Sequence, residues 1–204
     1  MIPKENNYAF IRAKKAALFL REGAVGVIPT DTIYGICGSA LNKKTVEKIY
    51  KLRKRNPKKP VIILIGSIGD LKEFNVKLKN WQEKILLKIW PAKISVILDC
   101  PSSKFYYLHR GTKTLSFRVP ASKNLLKIIS VSGPLVAPSA NFEGRPPAEN
   151  INEAKKYFGG EVFYYGKRKL TGQPSTLVDL TKKPFKIIRT GADCEKILKL
   201  IKQV

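Results

Sequence analysis

The sequence predicts an α/β (α+β) protein in which a twisted, mixed β-sheet is flanked by helices. Three observations point there. Stretches with the 3.6-residue period of helices alternate with short β-rich runs along the chain. Two hydrophobic runs, Val25-Gly26-Val27-Ile28 and Leu135-Val136-Ala137, each lead into a proline-stiffened turn rich in hydroxyls and amides. Hydrophobic residues make up 44% and aromatic residues 9% of 204 residues, enough to build a core in one domain.

The elements follow in order. Residues 7–22 form an amphipathic helix, with Asn7 as cap, Phe10, Ala13, Ala17 and Leu20 on one face, and Gly23 closing it. Residues 24–28 are a β-rich run ending in the loop Pro29-Thr30-Asp31-Thr32-Ile33-Tyr34-Gly35. Asn42 caps a second helix through Val46, Ile49, Tyr50 and Leu52, which ends in Arg53-Lys54-Arg55-Asn56-Pro57. Residues 61–65 read as a continuous buried strand, and Ser67 with Asp70 as the capping box of a short helix. A helix over 81–89 stops at Trp90-Pro91. Residues 94–98 and 114–119 are strands, the second alternating Leu115, Phe117 and Val119 with Thr114, Ser116 and Arg118. A helix over 124–130 precedes a strand over 135–137 and the second loop, Pro138-Ser139-Ala140-Asn141. A helix over 150–158, strands over 162–165, 176–180 and 185–189, and a helix over 193–201 complete the series. No internal repeat or low-complexity linker interrupts it, so residues 1–204 read as a single domain.

Composition narrows the function. No stretch approaches the ~18 to 20 apolar residues of a membrane span, and the start has no signal-peptide core, so the expected location is cytoplasmic with no membrane partner. Cys37, Cys100 and Cys194 are widely spaced and form neither a zinc pattern nor a disulfide framework. With His109 the only histidine, a Ser-His-Asp triad or His-based metal site is disfavoured, and His109 is expected in a solvent or loop role. Lysine and arginine total 39 against 15 acidic residues, a formal charge of +24. That excess attracts phosphate-rich partners, nucleotide or nucleic acid, although lysines spread along the chain also suit a solvated surface.

Arginines within the loop motifs carry more information. Arg53 and Arg55 at a helix end suit either a polyanion or the carbonyls of that helix terminus. Arg118 ends a strand on its polar face, where a charge needs a substrate carboxylate, a phosphate or an internal acidic partner. Ser175-Thr176 opens one strand and Arg189 closes another. Neither a Walker loop nor a Rossmann fingerprint occurs, so a bound nucleotide would be held by arginines, hydroxyls and turn amides.

Together these segments resemble the YrdC-like family of threonylcarbamoyl-AMP synthases, in its short, single-domain form. The matching motifs are Pro29-Thr30-Asp31-Thr32-Ile33-Tyr34-Gly35, Ile49-Tyr50-x-x-Arg53-x-Arg55 with Pro60, Trp90-Pro91 with Ser95-x-x-Leu98, Ser116-x-Arg118-x-Pro120, Ala137-Pro138-Ser139-Ala140-Asn141-x-x-Gly144-x-Pro146, Ser175-Thr176-x-x-Asp179 and Ile188-Arg189-x-Gly191. They occur in family order over nearly the whole chain. Several positions depart from the family pattern: Arg53 for a usual lysine, Asn56 for proline, Lys59 for asparagine, Leu64 for histidine and Glu143 for serine. The usual Trp-Pro-Gly-Pro-x-Thr appears as Trp90-Pro91-Ala92-Lys93-Ile94-Ser95.

The resemblance implies a YrdC-like fold with a basic concave pocket. It implies synthesis of threonylcarbamoyl-AMP and pyrophosphate from ATP, L-threonine and bicarbonate or CO2, for N6-threonylcarbamoyladenosine in tRNA. It further implies Mg2+ with ATP, a downstream threonylcarbamoyl transferase and no resident metal. Thr32, Arg118, Ser139 and Ser175 match threonine-binding positions. Arg53, Arg55, Thr114, Asn141 and Arg189 match ATP-binding positions, and Arg53, Arg55, Ser139 and Asn141 are the expected catalytic set. Two other readings stand beside this one: a non-catalytic module of the same fold contacting tRNA or RNA through its basic surface, and carbamoyl transfer to related substrates.

Overall fold

A computed structural model describes residues 13–201. Its strands are β1 (Gly26–Pro29), β2 (Tyr34–Ser39), β3 (Ile62–Leu64), β4 (Ile94–Asp99), β5 (Thr114–Arg118), β6 (Leu135–Val136), β7 (Phe163–Tyr164), β8 (Thr176–Asp179) and β9 (Lys186–Arg189). They form one mixed sheet in the order β7-β1-β2-β6-β3-β5-β4-β8-β9. The helices are α1 (Ala13–Arg21), α2 (Lys43–Leu52), α3 (Asn80–Ile89), α4 (Tyr106–His109), α5 (Lys123–Ser132), α6 (Ile151–Phe158) and α7 (Cys194–Ile201). Asn7 and Phe10, expected in the first helix, lie outside the described residues.

Local caps act as their chemistry requires. Asn42 accepts from the Thr45 amide at 3.2 Å and starts α2, and Asn150 accepts from the Glu153 amide at 3.0 Å and starts α6. Asp70 accepts from the Ser67 hydroxyl at 2.8 Å and from the Gly66 amide at 2.8 Å, opening a 3-10 helix over Ile68–Phe74.

The loop expected over 29–35 is shorter in the structure: Pro29 ends β1, the chain reverses over 30–33, and Tyr34 and Gly35 begin β2, antiparallel to β1. Thr30 makes the reversal: its Oγ1 accepts from the amides of Thr32 and Ile33 at 3.1 and 3.2 Å and donates to the Ile33 carbonyl at 2.6 Å. The strand was hidden because glycines replace the expected bulky residues. A Cβ on Gly38 would sit 2.3 Å from Thr45 Cγ2, so packing of α2 on β2 demands glycine there.

His109 also differs from expectation. It is 3% exposed; its Nδ1 accepts from the Gly111 amide at 3.1 Å and its Nε2 lies 3.3 Å from the Ser102 carbonyl. Both ring nitrogens therefore engage the local backbone, which gives His109 a structural role within 102–111. The short elements there, a 3-10 turn over Ser103–Phe105 and α4, have too few residues to show a period in the sequence.

The two sheet faces are covered unequally. On one, Val27, Ile36, Ile63, Val96, Phe117, Val136 and Val178 join α2, α3, α4, α6 and Ile197 of α7 in the main core. On the other, α1 and α5 pack on Ile28, Cys37, Leu64 and Leu135 of β1, β2, β3 and β6, with Phe163 of β7 at the margin. Past Leu64 that second face continues, by strand register, through Thr114, Ser116 and Arg118 of β5, Ser95 and Ile97 of β4, and Leu177 and Asp179 of β8. Thr114, Ser116, Ile97, Leu177 and Asp179 stay half-buried. The fold therefore leaves a polar, partly open shelf beside a helix-covered half-sheet.

Candidate active site

Both proline-stiffened loops meet at one edge of this shelf. Ser139 pairs with Gly35 in an isolated antiparallel bridge, the Ile36 amide donates to the Pro138 carbonyl at 3.0 Å, and the Ala140 amide donates to the Tyr34 carbonyl at 2.9 Å. The second loop thus extends the sheet past β2 and sets Ser139 beside the turn that bears Asp31 and Thr32. A third segment crosses above. The Tyr34 hydroxyl donates to the Arg168 carbonyl at 2.7 Å, and a Cβ on Gly172 would lie 2.4 Å from the Thr32 carbonyl oxygen.

Arg118 anchors the shelf end of the turn. It is 3% exposed; Nη1 donates to Thr32 Oγ1 at 3.3 Å, and Nη2 forms an ion pair with Asp31 Oδ1 at 3.2 Å. Of the partners its sequence position allowed, the structure supplies the internal one. The Nη2–Oδ1 approach lacks hydrogen-bond geometry, which leaves Asp31 Oδ1 buried without a hydrogen-bond partner; Arg118 Nε is likewise buried and unpartnered. Burial pulls the Arg118 pKa down, and Asp31 opposes that shift. Asp31 Oδ2 accepts from the Ala121 amide at 2.9 Å, and Thr32 Oγ1 lies 2.9 Å from Thr30 Oγ1. The guanidinium is therefore held from two sides by the β1–β2 turn.

Arg53 owes its direction to the end of α2. Lys54 adopts φ +51°, the Arg55 amide donates to the Tyr50 carbonyl at 3.0 Å and the Lys54 amide to the Lys51 carbonyl at 3.1 Å, a Schellman closure with lysine in glycine's usual place. Arg53 is 3% exposed and leaves the helix carbonyls for the second loop. Nε donates to the Asn141 carbonyl at 3.1 Å, and Nη2 donates to Asn141 Oδ1 at 3.1 Å and Ser139 Oγ at 3.2 Å, while Nη1 has no partner. Burial, then Arg55, lower its pKa to about 10, and Glu143 and Tyr50 counter them. Asn141 is committed to the same link, its Nδ2 donating to the carbonyls of Phe142 and Arg145 at 2.7 and 2.6 Å. Arg55 stays half-buried, with Nη2 donating to the Pro60 carbonyl at 2.7 Å.

The far side carries a hydroxyl pair and a third arginine. Ser95 Oγ and Ser175 Oγ are 2.8 Å apart; Arg189 Nη2 donates to the Ser175 carbonyl at 2.8 Å and to Ser175 Oγ at 3.3 Å. Burial lowers the Arg189 pKa. Thr114 occupies the opposite end of β5 from Arg118, four residues or about 13 Å along the strand, and its Oγ1 donates to Thr112 Oγ1 at 3.2 Å.

The sequence-derived residues thus fall into three hydrogen-bonded groups. Thr32 joins Arg118, Arg53 joins Ser139 and Asn141, and Ser175 joins Arg189; Arg55 and Thr114 lie apart from these hydrogen bonds. Sequence reasoning assigned no role to Asp31, Ser95, Lys59 or Glu143. For Asp31 and Glu143 the signal was the scarcity of acids, since each of 15 carboxylates in a chain of charge +24 is a valuable partner. Burial pushes the Cys37 thiol up to about 12, against the pull of Arg118. The set of guanidinium groups, hydroxyls and amides suits binding and orienting anions such as carboxylate and phosphate.

The Sua5/YciO/YrdC family model, described as telomere recombination, matches residues 18–191, which spans every group above. The chain belongs to the Sua5/YciO/YrdC family. Among its relatives, the threonylcarbamoyl-AMP synthase of Pyrococcus abyssi is 31% identical over 93% of this chain and 57% of its own length. That of Bacillus subtilis is 34% identical over 72% of this chain and 43% of its own length. The chain therefore spans about half the length of these curated relatives. The crystal structure of P. abyssi Sua5 complexed with L-threonine superposes with a TM-score of 0.85 at 30% identity, covering 96% of this chain and 60% of that one. Among the described residues no helix is long and apolar enough to cross a membrane.

Proposed function

We propose that this chain is an L-threonylcarbamoyladenylate synthase. It would make threonylcarbamoyl-AMP and pyrophosphate from L-threonine, bicarbonate or CO2 and ATP, supplying the N6-threonylcarbamoyladenosine of tRNA. The observation that carries this reading is the gathering of Arg53, Arg118 and Arg189 with the hydroxyls of Thr32, Ser139 and Ser175 around the two proline-stiffened loops and the shelf. The names of the relatives, and the threonine complex of one of them, support it.

The chemistry asks for what these residues offer. The threonine amine captures CO2 as a carbamate. A carbamate oxygen then attacks the α-phosphorus of ATP and pyrophosphate leaves. Neither step requires a covalent enzyme intermediate, so orientation and charge stabilisation supply the catalysis. Arg118 would pair with the threonine carboxylate, and Thr32, Ser139 and Ser175 would bind its remaining polar groups. Arg55, Thr114, Asn141 and Arg189 would contact ATP. Arg53 would keep Ser139 and Asn141 in place while its Nη1 serves the phosphates.

Mg2+ belongs to the substrate in this scheme. Among the described residues no group of three His, Cys, Asp or Glu side chains could hold a metal ion, and the cationic shelf is a poor resident site for one. The ion would arrive on the ATP phosphates. The adenylate would pass to a cytoplasmic threonylcarbamoyl transferase acting on tRNA.

Pyrophosphate release from MgATP and bicarbonate, with and without L-threonine and with mass detection of the product, tests the proposal. Threonine-dependent release with the threonylcarbamoyl-AMP mass is the expected result. A folded protein that releases none, yet binds RNA with a steep salt dependence, would overturn it in favour of a binding module.

A further inference from the structure

The segment after α2 is the most cationic stretch near the shelf: Arg53, Lys54, Arg55, Lys58 and Lys59 are five cations within seven residues, with no acid among them. The carboxylate that faces them comes from the other proline-stiffened loop. Glu143 Oε1 forms an ion pair with Lys59 Nζ at 2.8 Å, Oε2 accepts from the Asn56 amide at 2.5 Å, and the Glu143 amide donates to the Arg53 carbonyl at 2.8 Å. An ammonium and a turn amide converging on two oxygens, with Arg55 nearby, form the donor set that recognises a phosphate. Arg53 Nη1, buried and unpartnered, lies in the same cationic segment.

We propose that Glu143 is an internal anion occupying a polyphosphate-binding nest made by the Asn56 amide, Lys59 and Arg55, and that the phosphates of ATP or the pyrophosphate product compete with it. Resting on the synthase reading, this assigns Glu143 a specific task. Its carboxylate lowers affinity for the polyphosphate and so favours release of pyrophosphate. It also keeps the basic segment folded against the second loop while no nucleotide is bound. The hydrogen bond from Lys59, then that from the Asn56 amide, hold the Glu143 carboxyl below its ordinary pKa, with the charge of Arg55 a smaller contribution, so the group stays charged at neutral pH.

The competition has a direct readout that requires neither threonine nor turnover. Inorganic pyrophosphate is titrated calorimetrically into the full chain as wild type, Glu143→Gln, Lys59→Gln and the double variant, with circular dichroism to establish folding. Losing a partly exposed carboxylate from the ion pair and from beside a polyanion should tighten pyrophosphate binding about fivefold in Glu143→Gln. Lys59→Gln should cost more affinity in the Glu143→Gln background than in the wild type, because only there is the ammonium free to meet the ligand. Unchanged or weaker binding by folded Glu143→Gln, strictly additive effects in the double variant, or no pyrophosphate binding by any of the four would each overturn the proposal. Such a result beside intact threonine-dependent turnover leaves the synthase reading in place; tighter binding without turnover leaves the nest in place and removes the synthase reading.

Discussion

Replacing Asp31 by asparagine tests whether the β1–β2 turn is an electrostatic support for Arg118. Asparagine keeps the size of the side chain and an acceptor for the Ala121 amide, so the perturbation is the loss of charge beside a guanidinium. Both side chains are 4% exposed, and the pair is separated by 3.2 Å. Breaking a buried pair by removing one partner costs about 3–5 kcal/mol, because the remaining ion keeps its desolvation penalty without its counter-charge. The Thr32 contact at 3.3 Å and the retained acceptor place this variant at the lower end, about 3 kcal/mol. For a chain of this size that lowers the melting temperature by about 6–12 °C. The assay is urea unfolding of the wild type, Asp31→Asn, Arg118→Met and the double variant. The double variant should be more stable than Asp31→Asn alone, since it carries no orphaned buried charge. L-Threonine should raise the melting temperature of Asp31→Asn more than that of the wild type, its carboxylate supplying the missing charge. An Asp31→Asn protein within about 0.5 kcal/mol of wild type would refute the account, because such a change belongs to exposed sites.

Gly172→Ala should force the crossing segment off the turn, since its Cβ would lie 2.4 Å from the Thr32 carbonyl oxygen; overpacking of this kind costs about 1–3 kcal/mol. The threonine KM should rise about tenfold with a much smaller change for ATP, and equal KM values for variant and wild type would place this segment away from the threonine pocket. The Glu143 clasp should show a defined pH dependence. Its folded-state pKa is depressed below 4.5, so its stabilisation is present above the unfolded value and is lost as pH falls through the folded one. The difference in urea midpoint between wild type and Glu143→Gln should therefore be flat from about pH 6 to 8 and shrink below about pH 4; a difference unchanged at pH 3 would contradict the clasp. Iodoacetamide on the native protein should alkylate the half-exposed Cys194 and spare the buried Cys37 and Cys100, as mass mapping would reveal; early labelling of Cys37 would mean that the face beneath α1 and α5 opens readily.

Where the causes are local, the sequence was a sufficient guide. Asn42, Asn150 and the Ser67–Asp70 pair start their helices through hydrogen bonds three residues away, which a linear reading captures. The alternation of Leu115 and Phe117 with Thr114 and Ser116 placed one face of β5 in the core and the other on the shelf. Strand β2 was missed because Gly35 and Gly38 answer to neighbours across the fold: Thr30 and Pro138 press on the first, Thr45 on the second. His109 escaped because its burial depends on the 102–111 segment folding over it.

For the site, the sequence by itself determined the inventory: arginines at strand and helix ends, hydroxyls in proline-stiffened loops, no triad, and motifs in family order. Those features are chemical and local, so residue type and spacing carry them. Only the tertiary structure decided the pairings. Asp31 reaches Arg118 across 87 residues, Glu143 reaches Lys59 across 84, and Arg53 turns inward because Lys54 takes a left-handed conformation. A charge chooses its partner by distance and desolvation in the folded chain, and neither quantity exists until the sheet has brought the loops together.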